Sequence, residues 1–282
     1  MNNSFNTVKF TLKRYVILKK DPKIVNNYTD NLEEKIVELS LRLKGKNKEL
    51  EDAIELNNLT FKKLIHNLKN PVGVAFSFSE MILEGLQNYT PDKLERHIEI
   101  IKNSSEFSLN LLNSFAEFHR YQSTDLKLYF ATQNFSKVLL EILENFKKKA
   151  NEKGISIQTH LPKNDIEYNF DKTELTKAIS NVLDNAIRYS PENTAIQISV
   201  FENKNEINVI IADQGIGIEE NHLPFIFNDF FVVNTYSNDT KKCIGLGLPI
   251  TKRILAMHNG TITTESQIGK GSIFTITLPK ES

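Results

Sequence analysis

A long apolar seam constrains the first part of this chain more than any other feature. Between Leu32 and Leu64, apolar residues recur at alternating steps of three and four, and no proline interrupts the pattern before Pro71. This spacing is typical of a helix that pairs with a second helix along one seam. It predicts a coiled-coil-like signalling helix over 31–57, preceded by a segment of unknown role, 1–30, that carries no motif.

A second amphipathic helix follows the seam after a short break. Thr90 followed by Pro91 is a favourable helix start, since threonine can cap the first turn and proline fits its first position. The apolar pattern then continues to about Tyr121. Two helices joined by a turn cannot bury both of their apolar faces alone. Residues 58–125 are therefore predicted to form a long helical hairpin that dimerises into a four-helix bundle.

The remaining sequence, 126–282, has the texture of an α+β domain. Its helical stretches are 136–153 and 171–190. Its β-like stretches are 155–159, 195–201, 206–212 and 272–278. Alternating elements of this total length are normal for one hydrophobic core. The segment 218–244 is long and irregular, and a loop of that length is usually functional, often as a lid.

Charge and composition exclude several classes of protein. The chain has 35 Lys and Arg against 35 Asp and Glu, so it lacks the basic excess of a nucleic-acid-binding protein. Its single cysteine, Cys243, rules out an internal disulfide and fits a reducing compartment. No apolar run reaches the length of a membrane span. These features predict a soluble, cytoplasmic protein that binds no nucleic acid and has no membrane span.

Two asparagines, Asn181 and Asn185, lie four residues apart in a helical stretch whose other face is apolar. They therefore share one face, which points away from the core. Neutral oxygen donors of this kind can ligate Mg²⁺, which keeps several waters and bridges phosphates. Taken alone, the pair fits two solvated asparagines better than a metal site.

Glycines at two turns suggest that a ligand approaches the backbone. Asp213 follows an apolar strand and precedes Gly215 and Gly217, so an acceptor for an exocyclic amine lies beside backbone that a flat ring can reach. Gly245 and Gly247 directly precede a helix, whose free N–H groups and dipole favour phosphate. Each motif alone also fits an ordinary turn or helix start.

The order of these motifs is more specific than any one of them. The asparagine pair, the Asp213 turn, an aromatic segment over 225–231, the Gly245 turn and a Gly-Lys-Gly-Ser-Ile-Phe turn over 269–274 follow one another. In this the chain resembles a two-component sensor histidine kinase, which joins a dimerisation and histidine-phosphotransfer hairpin to a GHKL-type ATPase domain. The resemblance covers about residues 58–280 and implies an α/β sandwich with a mixed sheet and a flexible lid.

The resemblance implies a role for each motif residue in binding ATP and Mg²⁺. Asn185 is expected to ligate the metal, Asn181 to support the same phosphate end, and Asp213 to accept from the adenine amino group. The resemblance also implies that Arg188 and Tyr189 flank the nucleotide and that Gly215 and Gly217 lie at the base and the lid hinge. Gly245 and Gly247 are expected around the phosphates, with Leu246 and Leu248 beside them. Ser272, in place of the usual threonine, is expected near adenine.

The lid segment departs from the family pattern. In the family it normally carries arginines, but the stretch 228–233 has none. The resemblance therefore leaves the contact with the γ-phosphate to Lys241 or Lys242.

His66, in the helix that carries the apolar seam, is the expected phosphoacceptor. It lies two residues from both Leu64 and Leu68 of the seam, which turns it about 200° away and towards solvent. The resemblance places an acidic base directly after such a histidine, but this chain has Asn67 there. Asn70, one turn later, corresponds to the residue that helps a response regulator lose its phosphate.

The chain is thus expected to be an ATP-dependent protein histidine kinase that autophosphorylates His66 and transfers the phosphoryl group to an aspartate of a response regulator. An amide cannot take up a proton, so Asn67 leaves open a phosphatase-biased protein or a non-catalytic, ATP-binding dimeric scaffold. The expected partners are a second copy of the chain, the regulator's receiver domain and an upstream sensor protein. The sequence does not specify the stimulus, the cognate regulator, or whether autophosphorylation occurs in cis or in trans.

Overall fold

The computed structural model describes residues 22–85, 89–122, 126–233 and 243–280. The helices of this part are α1 Pro22–Gly85, α2 Pro91–Arg120, α3 Phe135–Glu152, α4 Lys172–Tyr189 and α5 Gly247–Met257. The strands are β1 Ala131–Asn134, β2 Ser156–His160, β3 Glu167–Phe170, β4 Ala195–Glu202, β5 Glu206–Ala212, β6 Thr261–Gln267 and β7 Gly271–Pro279. In this part of the chain, no helix combines the length and apolar character that crossing a membrane requires.

The chain divides into two units between residues 61 and 62. The first unit contains the long first part of α1, whose seam residues are exposed in a single chain, among them Leu32, Ile36, Leu39, Leu43 and Leu50. The helix begins at Pro22, earlier than the apolar pattern predicts. Proline suits the first position of a helix, and the residues after it lack the apolar spacing that would have marked them as helical.

The second unit opens with the helical hairpin formed by the rest of α1 and by α2. As predicted, α2 begins at Pro91 after Thr90 and ends at the C-cap Tyr121. The Thr90 side chain makes no capping hydrogen bond, so proline at the first position defines this start. Leu64, Leu111 and Phe118 are the buried apolar side chains of the hairpin.

An α/β sandwich follows the hairpin, as predicted. Its five-stranded sheet has the order β2-β4-β5-β7-β6, in which β2 and β4 are parallel and all other neighbours antiparallel. Alternate residues of β4, β5 and β7 are buried in one core with the apolar faces of α3, α4 and α5. A separate two-stranded sheet pairs β1 with β3. The mixed sheet and its helical layer therefore carry the loops that follow β5 and precede α5.

Three strands were not predicted from the sequence. β1 and β3 have only four residues each; two residues of β1 are exposed, whereas β3 alternates between exposed and buried residues. β6 lies at the edge of the sheet and buries a single residue, Ile262. β1 and β6 are therefore defined by backbone pairing with a neighbouring strand more than by their own apolar residues, and β3 is too short for its alternation to stand out in the sequence.

Candidate nucleotide-binding site

Helix α4 presents polar side chains to a cavity because its opposite face is committed to the core. The helix begins after Asp171, whose carboxylate accepts from the backbone N–H of Glu174 at 3.1 Å. Its buried apolar residues are Leu175, Ala178, Ile179, Val182, Leu183, Ala186 and Ile187. Asn181 and Asn185 lie on the other face, as predicted, and both line the cavity.

The cavity has a volume of about 320 Å³, within the range of small-molecule sites. It brings together eleven of the residues that the sequence assigned to the nucleotide: Asn181, Asn185, Arg188, Tyr189, Asp213, Gly217, Gly245, Leu246, Gly247, Leu248 and Ser272. Gly215 lies behind the wall, where an added Cβ would be 2.7 Å from Oδ1 of Asp213. Lys241 and Lys242 lie outside the described residues.

Asn181 joins helix α4 to the start of α5. Its Nδ2 donates to the carbonyl of Gly247 at 3.1 Å and to Oγ1 of Thr251 at 3.3 Å. The Thr251 hydroxyl in turn donates to the carbonyl of Gly247 at 2.9 Å. The amide nitrogen of Asn181 is thus used within the protein, and its oxygen is the atom left for a ligand.

Asp213 is a buried carboxylate with one oxygen already committed. Its Oδ1 accepts from the backbone N–H groups of Gly215 at 2.8 Å and Ser272 at 3.1 Å. Burial raises the pKa of Asp213, although these two N–H groups act in the opposite direction. Because both donors converge on Oδ1, Oδ2 remains as an acceptor in the cavity. The amino group of a ligand can donate a hydrogen bond to this oxygen.

Two glycines allow the backbone around Asp213 to close tightly. An added Cβ on Gly217, at φ +72°, would lie 2.0 Å from the carbonyl oxygen of Gln267. On Gly271, at φ +91°, it would lie 2.0 Å from the carbonyl oxygen of Asp213 itself. Both contacts are with backbone, which cannot move aside without displacing the wall of the cavity.

Gly271→Ala is therefore expected to lower the free energy of unfolding by about 3 kcal/mol or more, through steric overlap and backbone strain together. Gly269→Ala is the matched control, since Gly269 has a similar φ of +75° but nothing within 4 Å of the added Cβ. It is expected to cost about 1 kcal/mol, from strain alone. Urea unfolding of both variants measures the difference, and equal losses would contradict the close approach at Gly271.

The side chains at the end of α4 form a polar cluster beside the cavity. Arg188 donates to Asp184 at 3.4 Å, and the Tyr189 hydroxyl lies 3.0 Å from Sγ of Cys243. Burial opposes the charge on Arg188, but Cys243 and Asp184 nevertheless raise its pKa above the usual value. Burial and the contact with Cys243 raise the pKa of Tyr189. The cluster therefore offers a cationic guanidinium and a neutral phenol.

The turn into α5 has the form of an anion site. Gly245 adopts φ +75°, and an added Cβ there would lie 2.6 Å from the carbonyl oxygen of Phe231. Helix α5 begins two residues later at Gly247 with no side-chain cap, so the N–H groups of its first turn are available for a ligand.

The described part of the predicted lid segment, 218–233, contacts both the hairpin and the sandwich. Phe230 adopts φ +57°, a strained conformation for a bulky residue, and its ring lies 6.0 Å from that of Phe118 on α2. Asp229 pairs with Arg253 at 3.1 Å, and the Arg253 guanidinium lies 4.2 Å above the Phe118 ring. Packing therefore fixes Asp229 and Phe230 within the predicted lid segment.

Sequence reasoning missed two kinds of lining residue. Ser114 and Glu117, from α2, line the cavity, and no sequence signal assigns a hairpin helix to a nucleotide site. The apolar wall was missed too, although apolar residues near the glycine motifs were a usable signal: Ile216, Ile218, Ile226, Phe231, Val232, Val233, Ile244, Ile250 and Phe274.

The predicted phosphoacceptor face of α1 is exposed. Leu64 is buried, whereas His66 and Asn70 are exposed and Asn67 is intermediate. The helical spacing relative to the seam correctly predicts this orientation. His258, by contrast, is a buried structural residue, since its Nε2 accepts from the backbone N–H of Asp171 at 3.2 Å.

Comparison with known proteins agrees with this geometry. Residues 170–282 match the family described as histidine kinase-, DNA gyrase B- and HSP90-like ATPase. The sensor protein SrrB of Staphylococcus aureus is 28% identical over 215 residues, which make up 76% of this chain and 36% of SrrB. The chain is a homologue of the two-component sensor histidine kinases. The chain spans only 36% of the length of the curated relatives that it matches first.

Two solved structures share the fold of this chain. Histidine kinase ThkA, solved in complex with response regulator protein TrrA, has a TM-score of 0.68 at 23% identity, covering 82% of this chain and 64% of that one. Histidine kinase AdeS of Acinetobacter baumannii has a TM-score of 0.61 at 23% identity, covering 77% and 98%. Hairpin and sandwich together therefore form a known arrangement of elements.

Proposed function

We propose that this chain is an ATP-dependent protein histidine kinase that phosphorylates its own His66 and passes the phosphoryl group to an aspartate of a response regulator. The observation that carries the proposal is one cavity with three different recognition elements. Asp213 offers an acceptor for an amino group, the Asn181 and Asn185 face offers amide oxygens, and the Gly245 turn offers backbone N–H groups. Adenine, metal and phosphates need these three in this combination.

Mg²⁺ fits the amide pair better than a cage of carboxylates. Within the described residues, no group of three or more His, Cys, Asp and Glu side chains could hold a metal ion. Mg²⁺ commonly takes few protein ligands, keeps waters and uses the phosphate oxygens of its nucleotide. Asn185, whose side chain has no hydrogen-bond partner among the described residues, is the proposed ligand, and Asn181 supports the same end of the site.

In the proposed reaction, one imidazole nitrogen of His66 attacks the γ-phosphorus of ATP. A nitrogen–phosphorus bond forms, the bond from phosphorus to the β–γ bridging oxygen breaks, and ADP leaves with that electron pair. The other ring nitrogen loses its proton to solvent, because the neighbouring Asn67 has no carboxylate to receive it. When bound, Mg²⁺ supplies positive charge to the phosphate oxygens.

A homodimer is part of the proposal. Large apolar side chains on the hairpin are more than half exposed in a single chain: Ile65, Phe76, Leu83, Ile98 and Leu109. Exposing this much apolar surface is unfavourable for a monomer, and a second hairpin would cover it in a four-helix bundle. The exposed seam of the first unit would pair in the same way.

A response regulator receiver domain is the proposed acceptor of the phosphoryl group. ThkA, which shares the fold, has been solved in complex with response regulator protein TrrA. Exposed His66 and Asn70 lie one turn apart on the same helix face and are open to a partner of this kind. Asn70 is the proposed residue for the reverse reaction, in which it orients a water towards the regulator's phosphoaspartate.

Labelling of the full chain with γ-³²P-ATP and Mg²⁺ tests the proposal. The expected product is protein-bound label that survives alkali and is lost in acid, as for a nitrogen–phosphorus bond. Asp213→Asn is the variant that tests the nucleotide site. Its side-chain oxygen can still accept from Gly215 and Ser272, but its NH₂ group then faces the amino group of adenine. Calorimetry is expected to show roughly 10–100-fold weaker binding of Mg·ATP.

Two results would contradict the proposal. Label that is stable in acid would indicate transfer to an oxygen rather than to a histidine nitrogen. Undiminished Mg·ATP affinity in Asp213→Asn would mean that adenine binds elsewhere.

Asn67 favours a second candidate function. Without an acidic neighbour for His66, the protein would act mainly as a phosphatase of the response regulator or as an ATP-binding dimeric scaffold. Wild-type protein that binds Mg·ATP but acquires no label would support this alternative. Loss of label from an added phosphorylated regulator would then separate the phosphatase from the scaffold.

A further inference from the structure

Helices α2 and α4 carry matching charges where they meet. Glu117 of α2 pairs with Lys177 of α4 at 2.8 Å, and Arg120 pairs with Glu174 at 2.6 Å. In each helix the two charges are three residues apart, so they lie on one face. The pairing is antiparallel: Glu117, which precedes Arg120 in α2, meets Lys177, which follows Glu174 in α4. The end of the hairpin is thereby held in register against the helix that carries Asn181 and Asn185.

The two ion pairs differ in how firmly they are held. The Glu174 side chain is only 7% exposed, and it also accepts a hydrogen bond from the Tyr121 hydroxyl. The Glu117 and Lys177 side chains are 45% and 27% exposed. A partly exposed pair of this kind contributes little net stability, so another anion can displace Glu117 from Lys177. The Arg120 pair is the fixed contact, and the Glu117 pair is the exchangeable one.

The described lining of the cavity carries little positive charge for a triphosphate. Its described lining residues include three carboxylates, Glu117, Asp184 and Asp213, but only one guanidinium, that of Arg188. Lys177 lies one turn before Asn181 on the same face of α4 and bonds to Glu117, which is itself part of the cavity wall. Among the described residues, Lys149 is the other lysine paired with a lining carboxylate, Asp184, whereas Lys177 is the one that a carboxylate of the hairpin occupies.

We propose that Lys177 recognises the third phosphate of ATP by exchanging Glu117 for it. The γ-phosphate brings a stronger negative charge to the asparagine end of the cavity, and a charge-assisted lysine–phosphate bond replaces the lysine–carboxylate bond. ADP, which lacks this phosphate, leaves the Glu117 pair intact. Lys177 thus distinguishes ATP from ADP, a role that rests on the proposed function of the cavity as an ATP site.

The exchange has a consequence for the hairpin. Once Lys177 turns to the phosphate, Glu117 loses its partner while it faces the added negative charge. One of the two ionic contacts between α2 and α4 is then lost, and repulsion replaces it. Because α2 belongs to the hairpin that carries His66, ATP but not ADP loosens the hairpin from the nucleotide-binding helix.

Binding of Mg·AMPPNP and Mg·ADP to the full chain tests this proposal by calorimetry. Lys177→Gln is expected to weaken Mg·AMPPNP about tenfold and to change Mg·ADP affinity by less than about twofold. Glu117→Gln, which keeps the size of the side chain, is expected to tighten Mg·AMPPNP several-fold because Lys177 loses its competing anion. The matched control is Lys172→Gln. Lys172 lies on α4, like Lys177, and pairs with Glu141 of α3 at 2.7 Å, and neither Lys172 nor Glu141 lines the cavity.

The outcomes separate this proposal from the function on which it rests. If the wild type binds neither nucleotide, the ATP site itself is wrong and this inference falls with it. If both nucleotides bind but Lys177→Gln weakens them equally, or weakens neither, Lys177 does not read the γ-phosphate. Hydrogen exchange in 114–121 gives a second measurement, expected to rise with Mg·AMPPNP and not with Mg·ADP. Unchanged exchange with both ligands would contradict the loosening of α2.

Discussion

Glutamine in place of His66 is expected to abolish phosphoryl transfer from ATP to the protein while leaving nucleotide binding intact. The glutamine amide can form hydrogen bonds, but its nitrogen lone pair is delocalised and cannot attack phosphorus. His66 is exposed on α1 and does not line the cavity. The substitution should therefore change the free energy of unfolding by less than about 0.5 kcal/mol.

Label incorporation and Mg·ATP affinity, measured on the same preparation, separate chemistry from binding. His119→Gln provides a matched control, because His119 is also exposed but lies on the other helix of the hairpin. Full labelling of the control and none of His66→Gln is the expected pair of results. Acid-labile label that persists in His66→Gln would assign the phosphoacceptor to another histidine.

The sequence predicts those parts of the fold that are determined locally. Helix α4 was predicted to within a residue because apolar residues recur on one face, and the structure adds a cap from Asp171. The start of α2 at Pro91 follows from the preference of proline for the first position of a helix. Strand β6 could not be found by this reasoning, because at the sheet edge it buries a single residue. Its backbone pairs with β7, but its own sequence has no alternation of apolar and polar residues that would predict a strand.

In the candidate site too, the residues of local sequence motifs could be predicted, whereas those brought together by tertiary contacts could not. Asp213 and the glycines around it follow one another in the sequence, so their motif is visible before the fold is known. Glu117 and Lys177 are 60 residues apart, and neither belongs to a motif. They meet only because α2 packs against α4, a tertiary contact that periodicity within either helix does not encode. The strained Phe230 is likewise a product of its packing on Phe118.

Asn67→Asp is expected to accelerate autophosphorylation by roughly 10²–10⁴-fold, the usual contribution of general-base catalysis. Asn67 directly follows His66 on α1 and is partly exposed, so an aspartate of nearly the same shape can be accommodated. Its carboxylate would be ionised at neutral pH and could accept the proton that one imidazole nitrogen loses as the other attacks. The amide of Asn67 can only hydrogen-bond to that nitrogen.

Initial rates of labelling at saturating Mg·ATP measure this effect, and saturation removes any influence of nucleotide affinity. Asn113→Asp adds the same charge at an exposed position of α2 and should leave the rate unchanged, which excludes a general electrostatic effect. Equal rates in wild type and Asn67→Asp would mean that proton removal from His66 does not limit the reaction. The slow step would then be the approach of the nucleotide to His66, and variants of the Glu117–Lys177 pair, rather than of Asn67, should change the rate.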